Sequence, residues 1–135
     1  KSGKDYPKEF DQIKNLFENQ IIYWGFASSR SQYIKLLHQS DILPVTSKHD
    51  FFGLSVMEAI HCNNTPVLPN NLSYPEIYQI RRYPEIFYNN FNGLLKKTII
   101  ALKEHEQQKY RNITKKFSWK KVAKEYDNQM RELCF

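Results

Sequence analysis

The chain has little cysteine and no long hydrophobic run, and both absences narrow what it can be. Cys62 and Cys134 are the two cysteines among 135 residues, and their spacing matches no metal-binding or redox motif, so reduced thiols in the cytosol are the default. No apolar stretch approaches the roughly 20 residues that span a bilayer. No secretory signal pattern is present either. We therefore expect a cytoplasmic protein without a membrane-spanning helix.

Length and charge set further bounds. A chain of 135 residues predicts one domain with a real core, and no repeat, low-complexity linker or internal boundary interrupts it. Twenty Lys and Arg against fourteen Asp and Glu give a net charge of +6. This excess fits a polyanionic partner such as RNA. An AT-rich genome, which favours Lys and Asn codons, explains it equally well.

Short apolar runs alternate with helical patterns over the first two thirds of the chain. Strands are predicted at residues 20–24, 41–46, 66–68 and 85–88. Helices are predicted from Pro7 to Phe17, after a cap at Ser29 or Ser31, and across 54–60. This alternation predicts an α/β fold with a Rossmann-like parallel sheet layered with helices.

The last part of the chain, about 90–135, is predicted to be helical. Apolar residues recur there at helical spacing in two stripes, 94–102 and 119–133. Ser118 is a suitable N-cap for the final helix.

Glu58 is a carboxylate inside an otherwise apolar helical segment. The residues around it, Leu54, Val56, Met57, Ala59 and Ile60, predict a largely buried helix. A buried Glu needs a partner, because an unpaired buried charge is costly. A ligand hydroxyl would serve, and so would a Lys, Arg or His side chain.

The same segment carries a family resemblance. Asp50-Phe-Phe-Gly-Leu-Ser-Val-Met-Glu58 resembles the Glu-x7-Glu signature of the retaining GT-B glycosyltransferases of family 4, with Asp50 replacing the usual first Glu and Phe51 a common Gly. His49-Asp-Phe-Phe-Gly53 and Leu68-Pro-Asn-Asn-Leu-Ser-Tyr-Pro-Glu76 resemble the branch of that family that mannosylates queuosine in tRNA. The resemblance implies that residues 1–135 are a fragment of the C-terminal, nucleotide-sugar-binding half of a GT-B enzyme, without its N-terminal acceptor domain.

The resemblance also implies roles for single residues. Asp50 would be catalytic, accepting a hydrogen bond from the reacting sugar, and Glu58 would bind the ribose hydroxyls. The other donor-binding positions lie at a strand end or a helix start: Gly25, Phe26, Phe52, Gly53, Leu54 and Ser55. The first two would meet the nucleobase. The other four would hold the diphosphate and sugar, since Gly permits close approach and helix N-termini favour anions.

Several of these positions have structural interpretations that stay open. Gly53 also suits a tight strand-to-helix turn, and Asp50 a solvated loop. Lys48 and His49 could help to hold a diphosphate, but surface loops are rich in such residues. Tyr74-Pro75-Glu76 resembles the family's small loop facing the donor, and a Pro-stiffened turn explains it as well.

The implied activity is transfer of a hexose, mannose from GDP-mannose, to queuosine in tRNA, without a metal or an organic cofactor. Two alternatives stay open: a family 4 enzyme acting on a glycan or lipid, and a non-catalytic nucleotide- or RNA-binding domain. Family enzymes neutralise the leaving diphosphate with an Arg and a Lys placed earlier in the donor domain. We therefore expect this segment alone to fold without catalysing transfer.

Overall fold

Three parallel strands form the sheet. The computed structural model describes residues 8–104 and 108–133. The strands β1 (Ile42–Pro44), β2 (Thr65–Pro69) and β3 (Phe87–Tyr88) lie side by side in that order. Ile42 pairs with Thr65, and Leu68 with Phe87, in parallel register. The predicted Rossmann-like α/β fold is confirmed.

Helices surround and connect these strands. They are α1 (Lys8–Leu16), α2 (Arg30–Gln39), α3 (Leu54–His61), α4 (Tyr74–Ile77), α5 (Phe91–Lys103), α6 (Arg111–Lys115) and α7 (Trp119–Leu133). Parallel neighbours need a crossover rather than a hairpin. Accordingly, α3 links β1 to β2, while α4 and a 3-10 turn at Pro84–Ile86 link β2 to β3.

The strand predicted at residues 20–24 is wrong. Residues 17–25 form turns, bends and irregular backbone. The N–H groups of Gln20 and Ile21 both donate to the carbonyl of Phe17, at 2.9 and 3.1 Å, which continues the end of α1. A strand needs a neighbour to accept its backbone hydrogen bonds, and no strand pairs with this segment within residues 8–104 and 108–133. Ile22 is therefore 85% exposed.

The strand predicted at residues 85–88 is only half right. Phe87 and Tyr88 form β3, whereas Pro84–Ile86 is a 3-10 turn. Pro84 is suited to the start of a helical turn, because its fixed φ is already helical and its missing N–H has no partner there.

The core lies between α3, the sheet and the helices that follow it. Val56, Met57, Ala59 and Ile60 form the buried side of α3, and all five residues of β2 are buried. Burial of each large apolar side chain contributes about 1.5–3 kcal/mol. Leu54 departs from the expected pattern, because it is the first residue of α3 and remains 66% exposed.

The helical C-terminal region begins with a well-capped helix. The side chain of Asn90 accepts a 2.9 Å hydrogen bond from the N–H of Gly93 at the start of α5. In contrast, α7 has no buried residue, and Trp119 and Leu133 are 77% and 82% exposed. No helix in the described part of the chain is long and apolar enough to cross a membrane. Pro7, which is predicted at a helix start, and Cys134 lie outside the described residues.

Candidate functional site

The loop from β1 to α3 ends in a tight turn at Gly53. Its N–H donates to Oδ1 of Asp50 at 2.8 Å, and its backbone is left-handed, with φ +70°. A Cβ atom there would lie 2.8 Å from the hydroxyl of Tyr78 and 3.1 Å from the ring of Tyr74. Conformation and space both require glycine at this position.

Two buried tyrosines support this loop from the side of α4. Tyr74 donates its hydroxyl to Oδ2 of Asp50 at 2.8 Å, and Tyr78 donates to the carbonyl of Gly53, also at 2.8 Å. Burial, with a smaller contribution from the bond to Asp50, raises the pKa of Tyr74 to about 12. Tyr74 therefore remains a proton donor at neutral pH.

The N-terminus of α3 keeps part of its anion-binding capacity. The amide of Gly53 is already used by Asp50. The amides of Leu54 and Ser55 belong to the first helical turn, whose N–H groups have no acceptor within the helix. Ser55 is exposed, and Phe52 is 38% exposed. Of the three amides predicted to face a phosphate, those of Leu54 and Ser55 are the better placed to do so.

Glu58 has two protein partners, both from α2. Arg30 donates to its Oε1 at 2.6 Å and Tyr33 to its Oε2 at 2.9 Å. Ser29 caps α2 by accepting from the N–H of Gln32. Because Arg30 and Tyr33 are three residues apart, they lie on the same helix face. The hydrogen bond from Arg30 is the main reason that the pKa of Glu58 lies below its ordinary value, partly opposed by burial.

Two apolar cavities meet at the Arg30–Glu58 pair. One, of about 640 Å³, is also lined by Phe52, Leu54 and Phe117. The other, of about 630 Å³, is also lined by Gly25 and Phe26. The structure thus brings Glu58 together with Phe52 and Leu54 on one side and with Gly25 and Phe26 on the other. Asp50, Gly53 and Ser55 lie outside both linings.

A smaller polar cleft of about 380 Å³ lies where the three strands end. Thr46, Ser47 and Lys48 follow β1, Asn70 and Asn71 follow β2, and Asn89 follows β3. The carboxyl edge of a parallel sheet is the usual ligand face of such folds. Asn70 donates to the side chain of Asn89 at 2.9 Å. Lys48 is exposed in this cleft, and His49 beside it is exposed as well.

Sequence reasoning missed several of these residues. The sequence does not single out Arg30, Tyr33 or Tyr78 as site residues; it leaves open a Lys, Arg or His partner for Glu58, and Arg30 is that partner. A signal was present in the spacing. Tyr33 follows Arg30 by three residues and Tyr78 follows Tyr74 by four, so each pair shares a helix face.

The chain matches a known family over most of its length. The family described as Glycosyl transferases group 1 matches residues 2–117. Since that range covers well over half of the 135 residues, the chain belongs to this glycosyltransferase family.

One relative shows more specifically which members of the family the chain resembles. The tRNA-queuosine alpha-mannosyltransferase of Drosophila melanogaster is 38% identical over 96 residues, which cover 71% of this chain and 24% of the relative. The chain thus spans about a quarter of the length of that relative. No solved structure matches the chain. The resemblance inferred from the Asp50–Glu58 and Leu68–Glu76 segments is confirmed.

Proposed function

We propose that the chain forms the donor-binding part of a retaining hexosyltransferase that uses GDP-mannose and modifies queuosine in tRNA. Membership of the glycosyltransferase family supports the general activity. The similarity to a tRNA-queuosine alpha-mannosyltransferase supports the sugar and the acceptor. The observation that carries the proposal is the position of the Glu58 carboxylate at the meeting point of the two cavities.

Glu58 is suited to hold the two vicinal hydroxyls of a ribose. An ionised carboxylate offers about four acceptor sites, and Arg30 and Tyr33 occupy one on each oxygen. The remaining sites can accept from a ligand. Because both partners are donors, they keep the carboxylate ionised and fix its orientation.

The diphosphate would lie beside the N-terminus of α3. The first-turn amides of Leu54 and Ser55 and the helix dipole favour an anion there. Lys115 lines the cavity next to Leu54, as does Arg30, whose charge is already paired with Glu58. Lys115 would therefore contribute positive charge towards the leaving diphosphate, which the transfer requires to be stabilised.

The nucleobase and the sugar would occupy opposite ends of this arrangement. Gly25 and Phe26 share a cavity with Glu58, which supports their predicted role near the base. Asp50 lies next to the α3 N-terminus, where its Oδ1 accepts from the N–H of Gly53 at 2.8 Å, and its carboxylate would accept from a hydroxyl of the reacting sugar. This closeness to the helix N-terminus supports the catalytic role predicted for Asp50.

A tRNA acceptor fits the charge of the C-terminal region. From Lys109 to Lys124 the sequence carries seven basic residues and no acidic one. Lys120 and Lys124 are exposed near the start of α7. Such a segment attracts a polyanion. We also propose that the protein acts in the cytoplasm.

A transfer assay tests this function. The full-length protein is incubated with GDP-mannose and either queuosine-containing tRNA or the same tRNA lacking queuosine. We expect mannose to appear only on the queuosine-containing tRNA. Transfer to a glycan or lipid instead would favour the first alternative, and nucleotide binding without transfer to any acceptor would favour a non-catalytic domain.

A further inference from the structure

We propose that Tyr74 is a positioning residue for the donor sugar, because its buried hydroxyl fixes the carboxylate of Asp50 in the orientation that receives a sugar hydroxyl. The inference rests on the donor-binding function proposed above. It adds a residue that acts through Asp50 rather than on the substrate directly.

The carboxylate of Asp50 is held from two directions. The N–H of Gly53 donates to Oδ1 and the hydroxyl of Tyr74 donates to Oδ2, both at 2.8 Å. One donor belongs to the loop and the other to α4, so rotation of the carboxylate would break at least one bond. Each oxygen keeps a further acceptor site. The carboxylate is therefore fixed in place and still able to accept from a ligand.

Tyr74 is itself rigidly supported. Its side chain is fully buried, and its ring lies 5.7 Å from that of Tyr78. Ser73 donates to the carbonyl of Phe51 at 2.5 Å, and Tyr78 donates to the carbonyl of Gly53. Together with Tyr74, these two residues tie the 50–53 loop to α4 at three points. Such support is what holds a binding group in a productive geometry.

Loss of the Tyr74 hydroxyl is expected to affect only one part of the bound donor. Asp50 is one methylene shorter than the glutamate of the family signature, so its reach depends on where its carboxylate is held. Glu58 is bound by Arg30 and Tyr33 of α2, whereas Tyr74 of α4 donates to Asp50. Loss of the Tyr74 hydroxyl should therefore weaken recognition of the sugar and leave recognition of the nucleotide unchanged.

The test compares two ligands in the full-length protein. Calorimetry with GDP and with GDP-mannose measures the nucleotide and the sugar contributions separately. Tyr74→Phe should weaken GDP-mannose binding by about fivefold to tenfold, as expected for one missing hydrogen bond, with GDP affinity unchanged. Tyr110→Phe is the matched control, because Tyr110 is also buried and donates to a carboxylate, that of Glu85, at 3.2 Å. It should change neither affinity.

A double-mutant cycle separates positioning from general support of the fold. In an Asp50→Ala background, Tyr74→Phe should cause no further loss of GDP-mannose affinity. An equal loss of affinity for both ligands, no loss for either, or a full-sized loss in the Asp50→Ala background would each overturn the inference. If Tyr74→Phe does not fold, Tyr74→Met, which also removes the hydroxyl and can fill the buried space, carries the test, and the inference fails unless its loss of affinity is confined to GDP-mannose.

The result for the unmutated protein distinguishes this inference from the function on which it rests. If that protein binds neither ligand, the proposed function fails and the role of Tyr74 falls with it. If it binds both ligands but the substitutions show no sugar-selective loss, only the role of Tyr74 is overturned.

Discussion

Arg30 and Glu58 form a 2.6 Å ion pair between α2 and α3, so the carboxylate predicted to bind ribose already has a cationic partner. The side chains of Arg30 and Glu58 are 65% and 25% exposed, so solvent screens the pair on the side of Arg30 and limits its contribution to stability. The pair lies in the wall of both large cavities. This position fits the ligand-binding role proposed above for Glu58.

The first prediction concerns the acid titration of Glu58. Its pKa lies below the ordinary value of 4.5, mainly because Arg30 donates to it. Arg30→Gln should therefore raise this pKa towards 4.5, which NMR titration of the Glu58 carboxyl measures. Arg82→Gln is the control, because Arg82 lies over the ring of Tyr83 and should leave the Glu58 pKa unchanged. If the pKa of Glu58 is the same in Arg30→Gln as in the unmutated protein, the hydrogen bond from Arg30 is not what lowers it.

The sign of the related stability effect follows from linkage. A carboxyl whose pKa is lower in the folded state stabilises the fold above its ordinary pKa, and this contribution is lost as the pH falls through the folded-state pKa. The difference in free energy of unfolding between the unmutated protein and Arg30→Gln should therefore shrink as the pH falls below 4.5.

The second prediction concerns Gly53. Gly53→Ala should lower the free energy of unfolding by about 1–3 kcal/mol, because alanine is strained at positive φ and its Cβ would meet the hydroxyl of Tyr78. Gly93→Ala in α5 is the control. Its Cβ would make only ordinary contacts at 3.4 Å, and alanine favours a helix. Chemical denaturation measures the free energy of unfolding of both variants. An equal loss of stability in the two would contradict the requirement for glycine at position 53.

The third prediction concerns the basic segment from Lys109 to Lys124. If it binds tRNA, Lys120→Gln with Lys124→Gln should weaken tRNA binding. The slope of log affinity against log salt should also fall by about 0.7–0.9 for each phosphate that the protein no longer neutralises. Lys96→Gln with Lys103→Gln is the control, because these exposed lysines of α5 remove the same charge elsewhere. If both double substitutions weaken tRNA binding equally, the loss reflects the net charge of the protein and not this segment.

The sequence alone predicts those parts of the fold that depend on a local pattern of residues. The apolar run of β2 and the helix around Glu58 follow from periodicity. A helix cap at Ser29 or Ser31 follows from residue type, and the structure shows that Ser29 is the cap. The parallel sheet follows from the alternation of short apolar strands with helices along the chain. The Asp50–Glu58 and Leu68–Glu76 segments identified the family because whole motifs, rather than single residues, were matched.

The features of the fold and the site that the sequence does not predict depend on contacts between distant parts of the chain. Residues 20–24 have the composition of a strand, but whether an apolar run becomes one is decided by a neighbour and not by its own residues. The partners of Glu58 lie 28 and 25 residues before it, and Tyr74 lies 24 residues after Asp50. No local pattern specifies such pairs. The predicted roles of Asp50, Glu58 and the other donor-binding residues stay predictions.

The most direct test of the central claim is the affinity for GDP of the full-length protein carrying Glu58→Gln, measured by calorimetry. Loss of a charge-assisted hydrogen bond costs about 1.5–3 kcal/mol, so GDP binding should weaken by roughly one to two decades. Glu85→Gln is the matched control, because Glu85 also pairs with a cation and a tyrosine, Lys109 at 3.4 Å and Tyr110 at 3.2 Å. We predict unchanged GDP affinity for Glu85→Gln. A folded Glu58→Gln protein that binds GDP as tightly as the unmutated protein would contradict the account.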